Sequence, residues 1–507
     1  MADKQSPNLS LVKLILIITT TIFSFSSMSS AYYMMGVKSL FWLLIAALFY
    51  FIPYVLIVSE FTATYKNKSG GIYCWLQDVF SPKIAFITTF LWYCSYFIWL
   101  ISLLMKMWIP LSIIITGKDI SSQDFLFWGI PNTVWLSIFS ILAIVIITIL
   151  ISRGFKTVSF FMVCSGIFMM ILMAVCIIGN LILMYFYPDQ ILPNLEASYA
   201  NISFFSMTSS AATDANSSNL IFQLPYLIFA ITALGGLDTI ASLVNEMGSI
   251  RNKFYKAVVI SSLLIMILYF GGIMIWSMGS NLSDMRAQNL HLGNLMYGLV
   301  YQLTVSVGHA LNLSTQTIYY LSRLSVVFSA FTLFFAYIGL LSVITYAPLK
   351  SLIGGTPANF WPKKLTTLNS FGVPSNALWG QAILLSVFIV FITISNYFAS
   401  NIYNQLTYMT NISRSIPYLI IAFSFPFFRA NKDILHPVIL IKKHYMIKPL
   451  ALSVSLCIFI GIFFQLYQPI LEGNFSKLGC LIGGPLFFGF CGYSLFYFFY
   501  NKPIWNR

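Results

Sequence analysis

The stretch "ITALGGLDTIASLVNEM", Ile231 to Met247, decides how this chain is read. It lies in an apolar segment that begins near Leu220, yet it carries two adjacent glycines and then an aspartate, Asp238. Glycine weakens a helix, and a carboxylate at the centre of a membrane helix costs about 2.5 kcal/mol or more. A segment that tolerates both is either soluble or built around a site. Composition removes the first alternative. Of 507 residues 59% are hydrophobic and 8% charged, with a mean hydropathy of +0.86, where a soluble chain carries about 25% charge. This is a polytopic membrane protein.

The formal net charge of +14 is spread over short loops between apolar runs. No soluble domain interleaves basic residues with stacking aromatics, so nucleic acid is not an expected partner. Cys74, Cys94, Cys164, Cys176, Cys457, Cys480 and Cys491 show no CxxC or metal-type spacing, and most lie in apolar stretches as packing residues. His291, His309, His436 and His444 fall in connecting segments, which weighs against an intramembrane metal or haem. No cofactor is implied. The first apolar run has a signal-peptide look, with "SSMSSA" as a cleavage site, but it continues toward a second span and reads as an uncleaved helix.

Windows of roughly 20 apolar residues predict twelve spans: about 11–36, 39–62, 83–108, 132–151, 157–186, 219–246, 255–279, 316–347, 376–396, 402–428, 448–469 and 479–500. Segment 295–312 is shorter and mixed, and reads as an extramembrane amphipathic helix. With a cytoplasmic N-terminus, twenty Lys and Arg fall inside and only Lys38, Lys118, Arg286 and Lys477 outside. Lys106, Arg323 and Arg414 lie within or at the ends of spans. Such an imbalance predicts that both termini are cytoplasmic.

Two spans are predicted to be broken. The first, "IITTTIFSFSSMSSAYYMMG" (Ile17–Gly36), has hydroxyl residues at its centre that compete for backbone hydrogen bonds; the sixth has Gly235-Gly236 at a comparable depth. Unwound backbone must face protein or water. Interrupted helices opening two successive five-span halves point to an inverted-repeat transporter. Taken singly, the serines read as helix-packing residues and the glycine pair as a close-approach site; together with an acid they favour a binding site.

Three further stretches resemble a known family. "SEFTATYKNKSGGIYCWLQDVFSPKIAF" (Ser59–Phe86) is similar to the signature between spans two and three of amino acid–polyamine–organocation transporters. "GGLDTIASLVNEMGSIRNKFYKA" resembles their sixth span and exit loop, with Glu246 in the acidic position, and "GTPANFWPKKLTTLNSFGVPSNALW" resembles the link between spans eight and nine. The nearest resemblance is to the glutamate/γ-aminobutyrate antiporter branch and its YjeM-like bacterial members, supported by "SAYYMMG", "MKMWIP" and "LPYLIFAI".

The resemblance implies an all-α, LeuT-type fold of five plus five inverted repeats and two extra spans. The repeats would cover residues 1–190 and 191–430, with accessory spans in 431–507. It implies a bacterial inner-membrane transporter of amino acids or small amines, working as an exchanger by alternating access; the alternatives are a proton-coupled amino-acid or polyamine symporter and a transport-dead sensor. The family's substrate-binding stretches fall on Ser26, Ser27, Met28, Ser29 and Ser30 and on Ala233, Leu234, Gly235, Gly236 and Leu237. Where relatives have glycines in span one this chain has serines and a methionine, and "GSIRN" replaces the usual Asn-Pro after the span-six acid.

In this frame the half-helix beginning near Ser29 offers N–H groups to a carboxylate, and carbonyls around Ala233 to Gly235 accept from an ammonium. Asp238 has two readings: an N-cap for the second half of span six, or a contact for a substrate amine or proton. Arg323 and Arg414 are its candidate charge partners, since a buried arginine needs a carboxylate or carbonyls. Tyr96 and Trp99 are candidate walls of the site, and Lys106 is expected to snorkel to the interface. HExxH, GxSxG and an intramembrane His/Asp set, which a membrane enzyme would need, are missing from the sequence.

Overall fold

Ser81-Pro82 shows how the long helices start. Ser81 accepts a hydrogen bond from the Ile84 N–H at 3.3 Å while Pro82 takes the first helical position, where its missing N–H is no loss. Span 3 then runs Pro82–Lys106. Ser10 caps Leu11–Ile22 and Ser314 caps Thr315–Gly355 in the same way. Gly154, at φ 90°, makes the left-handed turn that joins span 4 (Asn132–Ile151) to span 5 (Phe155–Phe186).

The structure is a computed structural model that describes residues 9–120, 126–127, 129–200, 223–280, 282, 294–357, 360–394, 399–471 and 473–501. Among these, nine helical segments are long and apolar enough to cross a bilayer, the first being Phe25–Thr64, which joins the second half of span 1 to span 2. The broken spans account for the shorter apolar helices Leu11–Ile22 and Tyr226–Ala241. Span 10 is Ala399–Ala430. With spans 11 (Ile447–Leu471) and 12 (Phe475–Asn501), helices stand at each of the twelve predicted positions among the described residues. The predicted start of span 6 at 219, the end of span 9 at 396, Arg286, His291 and both termini lie outside the described residues.

Several elements exceed the prediction. Span 8 continues past 347 through Pro348 to Gly355. Leu349, Lys350, Ser351, Leu352 and Ile353 are buried there, so packing outweighs the bond that proline removes. Helices Ile72–Gln77 and Pro188–Ala200 also form, and Leu126–Phe127 pairs antiparallel with Ile130–Pro131. Segment 295–312 is helical as expected, over Leu295–Ala310, and buries Leu295, Met296, Leu299 and Val300.

The fold is all-α and LeuT-type. Equivalent spans of the two five-span halves meet, 3 against 8 and 4 against 9, while span 5 packs along span 8. Span 7 contacts both halves of span 1 and also span 2, and both halves of span 6 contact the span 2 segment. Spans 1, 2, 6 and 7 thus form one group, set against a scaffold of spans 3, 4, 5, 8, 9 and 10. Span 11 covers span 6, and span 12 covers spans 3 and 10. In span 2 a π-helical turn, Ala47–Phe51, precedes Pro53 and absorbs the register that the proline cannot bond. It presents Tyr50 and Tyr54 together, their rings stacked at 5.4 Å.

Candidate substrate site

Span 1 breaks at Phe23-Ser24. Leu11–Ile22 ends with threonines whose hydroxyls turn back to their own helix, Thr20 to the Leu16 carbonyl at 2.8 Å and Thr21 to that of Ile17 at 2.7 Å. Phe23 and Ser24 are extended, and Ser24 caps Phe25–Met35 by accepting from the Ser27 N–H at 3.4 Å. The unwound residues therefore lie at the N-terminal edge of the serine run, Ser24 being its first residue, and Ser26–Ser30 follow in the helix. Ser24 is the first hydroxyl after the apolar run and satisfies a free N–H that no apolar residue could.

Ser26 to Ser30 are all helical. Ser26 and Ser27 are half-buried in the first turn. The Met28 side chain occupies the space left by the missing Cβ of Gly272 on span 7. Ser29 donates to the Met296 sulfur at 3.2 Å, on the 295–310 helix, and Ser30 is buried. These five side chains thus point to several neighbours.

Span 6 consists of Pro225–Ala233, an interruption over Leu234 to Gly236, and Leu237–Ala241. Gly236 has φ +117°, a conformation L side chains rarely adopt, and faces the Thr21 carbonyl oxygen at the end of the first half of span 1. Gly235 lies flat against the Tyr418 ring of span 10. The missing side chain of Gly236 lets the span 6 break touch the end of the first half of span 1, while that of Gly235 makes room for Tyr418. Leu234 and Leu237 are buried beside them. Of the carbonyls expected to receive an ammonium, Ala233 to Gly235, that of Ala233 already accepts from the Tyr269 hydroxyl at 3.0 Å, and the preceding Thr232 carbonyl accepts from Arg414 at 2.9 Å. Tyr269, on span 7, also packs its ring edge-on to Phe23 at 5.0 Å, so one side chain spans both breaks.

Asp238 is fully buried. The cap position of its half-helix belongs to Gly236, and the carboxylate turns instead to span 3. There Oδ2 accepts from the Trp92 indole N–H and from the Tyr96 hydroxyl, while Oδ1 has no partner. The capping reading is thereby replaced by a contact between spans 6 and 3. Tyr96 also meets the Tyr418 hydroxyl at 3.3 Å, and Tyr418 packs against Tyr54 at 5.3 Å. Arg414 is buried too, with its guanidinium 4.6 Å over Trp99 and 5.8 Å over Tyr96.

Arg323 is not part of this cluster. It is exposed, donates to Tyr319 at 3.3 Å and lies on Gly117 beyond the far end of span 3. Its place in span 8, one turn after Tyr319 near the helix start, puts it at the surface rather than at mid-depth. Sequence reasoning missed Trp92, Tyr418, Tyr50, Tyr54 and Tyr269. Aromatics are so common here that periodicity alone could not separate these from packing residues.

A second constellation closes the end of the molecule that carries most of the Lys and Arg. Glu60, at the end of span 2, accepts from the Leu440 and Ile441 N–H groups at 2.8 and 3.0 Å and pairs with Arg429 of span 10 at 3.5 Å. Glu246, after span 6, pairs with Lys350 of span 8 at 2.6 Å. Each pair joins an acid of the 1-2-6-7 group to a base of the scaffold. Gly70 and Gly355 bring the 65–72 loop and the end of span 8 into backbone contact. His436 stands edge-on to Phe428 at 4.7 Å, and burial followed by the Arg429 charge holds its imidazole below the usual range.

The family described as amino acid permease matches residues 9–477 of the chain. The inner membrane transporter YjeM of Escherichia coli is 32% identical over 490 residues, which cover 96% of this chain and 95% of that protein. Its namesake from Salmonella typhimurium shows the same identity and coverage. The aspartate/glutamate permease AcaP of Lactococcus lactis is 44% identical over 45 residues, 9% of each chain.

Proposed function

We propose a function from one premise: the chain belongs to the amino acid permease family. It is a multi-pass membrane transporter. Its cargo is amino acids or related small amines, moved across the bacterial inner membrane by exchange and alternating access. One observation carries this reading. The breaks in spans 1 and 6 touch through Gly236 and Thr21, beside a buried acid, a buried arginine and a ring of tyrosines shared by the two span groups. A substrate held there lies against the backbone of Ser26–Ser30 and Ala233–Leu237. The group of spans 1, 2, 6 and 7, drawn from both repeats (1–190 and 191–430), then rocks against the scaffold about this site.

The test is uptake of labelled amino acids and amines into proteoliposomes. Preloading with unlabelled substrate should accelerate uptake, as exchange requires. Uptake that ignores preloading but follows an imposed pH gradient would favour proton coupling through Asp238, whose Oδ1 has no partner. Failure to move any amino acid or amine would remove the reading.

The same premise orients the protein. Positive charge places both termini, the 347–375 link and the two ion pairs at the cytoplasmic face, with 280–313 outside. In a cysteine-free background, single cysteines in 280–313 should react with an impermeant reagent in intact cells, and cysteines in 347–375 only after lysis. The opposite pattern would invert the topology.

A further inference from the structure

Asp238 and Arg414 are buried opposite charges that share a neighbour without pairing. Tyr96 gives its hydroxyl to Asp238 at 3.1 Å, and its ring lies 5.8 Å beneath the guanidinium. The ion pairs among the described residues are Lys68–Asp78, Lys350–Glu246 and Arg429–Glu60. Asp238 and Arg414 are held apart by other contacts: the carboxylate by Trp92 and Tyr96, the guanidinium by the Thr232 carbonyl and the face of Trp99. Each retains one buried atom without a partner, the acceptor Oδ1 on Asp238 and the donor Nε on Arg414. Leaving a charged group partly unsatisfied in a low dielectric is costly, and it marks where a ligand would bind most favourably.

We propose that Asp238 and Arg414 read the charges of the substrate, Asp238 receiving its ammonium and Arg414 its carboxylate, so that the site selects net-neutral zwitterions. The inference rests on the transporter reading above and deepens it. Of the backbone acceptors expected for the ammonium, Ala233 is engaged by Tyr269, and the neighbouring Thr232 carbonyl is engaged by Arg414, whereas Asp238 Oδ1 has no partner. The two side chains sum to zero charge. A zwitterion compensates both and adds none. A dicarboxylic amino acid brings a second carboxylate and a dibasic one a second ammonium, each without a counter-charge in the pair. An amine without a carboxylate, or an N-acylated acid, satisfies one end only.

The test is thermal stabilisation of the purified full-length protein by a panel: neutral α- and ω-amino acids, dicarboxylic and dibasic amino acids, decarboxylated amines, and N-acetyl amino acids. Neutral zwitterions should stabilise most. Single-charge analogues should bind about thirtyfold or more weakly, the effect of breaking a desolvated charge pair. Asp238→Asn should erase the preference over the N-acetyl acid and leave that over the amine. Arg414→Gln should do the reverse, and Arg414→Lys should restore part of it. If these variants fail to fold, the panel on the unaltered protein still decides. Tightest binding of a dicarboxylic or dibasic amino acid, or equal binding of single-charge analogues, would overturn the inference while leaving the transporter reading intact. Stabilisation by no amino acid or amine would remove both.

Discussion

Gly236→Ala should reduce transport about a hundredfold, the scale expected when reacting or binding groups move by ~1 Å, and Gly236→Val should abolish it. At φ +117° any side chain is strained, typically by about 1–3 kcal/mol. The added Cβ would also stand 3.1 Å from the Thr21 carbonyl oxygen, which is backbone and cannot swing away. The breaks would be pushed apart where they now touch. Gly235 behaves differently. It does not have a positive φ, and an added Cβ would meet the Tyr418 ring at 3.2 Å, a side chain that can shift by a few tenths of an ångström, and the Thr232 carbonyl oxygen at 3.3 Å. Gly235→Ala should keep measurable uptake, and Gly235→Val should lose it. Expression and thermal stability should fall less than uptake in all four variants, because the segment has little helix to lose. Uptake by Gly236→Ala at the level of the unsubstituted protein would show that contact between the breaks is not needed.

Glu60→Ala should be the most destabilising single change at the Lys- and Arg-rich end, by about 3–5 kcal/mol. Glu60 is buried, and its removal strands the Arg429 charge and the Leu440 and Ile441 N–H groups together. Glu60→Gln keeps an acceptor for the two N–H groups and loses only the charge, so it should fall between the unsubstituted protein and the alanine variant. Lys350→Met should cost less than either. Its pair with Glu246, 2.6 Å long with relative exposures of 10% and 15%, is mostly buried, but its loss strands one carboxylate that is less buried than Glu60 and leaves no pair of backbone N–H groups without an acceptor. Melting in detergent, followed by loss of monodisperse protein, orders the three. Both pairs tie spans 2 and 6 to spans 10 and 8, so their loss should also increase cysteine reactivity of the site from the end of the molecule that carries them. Glu60→Ala melting at the temperature of the unsubstituted protein would refute the latch.

Much of the architecture was legible without coordinates. Apolar windows place helices because lipid offers no hydrogen bonds, so each span must satisfy its own backbone and must be about as long as the bilayer is thick. Gly235-Gly236 marked the break in span 6 because no other residue reaches φ +117° freely. The span 1 break was displaced from its expected place. A run of hydroxyls announces that a helix can be interrupted, but which serine becomes the cap depends on the helix that follows, and Ser24 wins by bonding the Ser27 N–H. Span 8 outran its apolar window because burial of Lys350 against Tyr346 and Glu246 lets a charged residue stay inside the fold.

Composition, periodicity and charge by themselves determined the class of the protein, its spans, its expected orientation and the two spans that break. These are local or summed properties, set by each segment against water and lipid. Only the tertiary structure decided what Asp238 does, turning it from a possible cap into a contact for Trp92 and Tyr96 of span 3. It separated Arg414, which reaches the Thr232 carbonyl, from Arg323, which lies exposed on Gly117. It also selected Tyr50, Tyr54, Tyr269 and Tyr418 from 29 tyrosines. A buried polar group is defined by the partner that satisfies it, and here those partners come from spans far apart in the chain, a relation no local pattern carries.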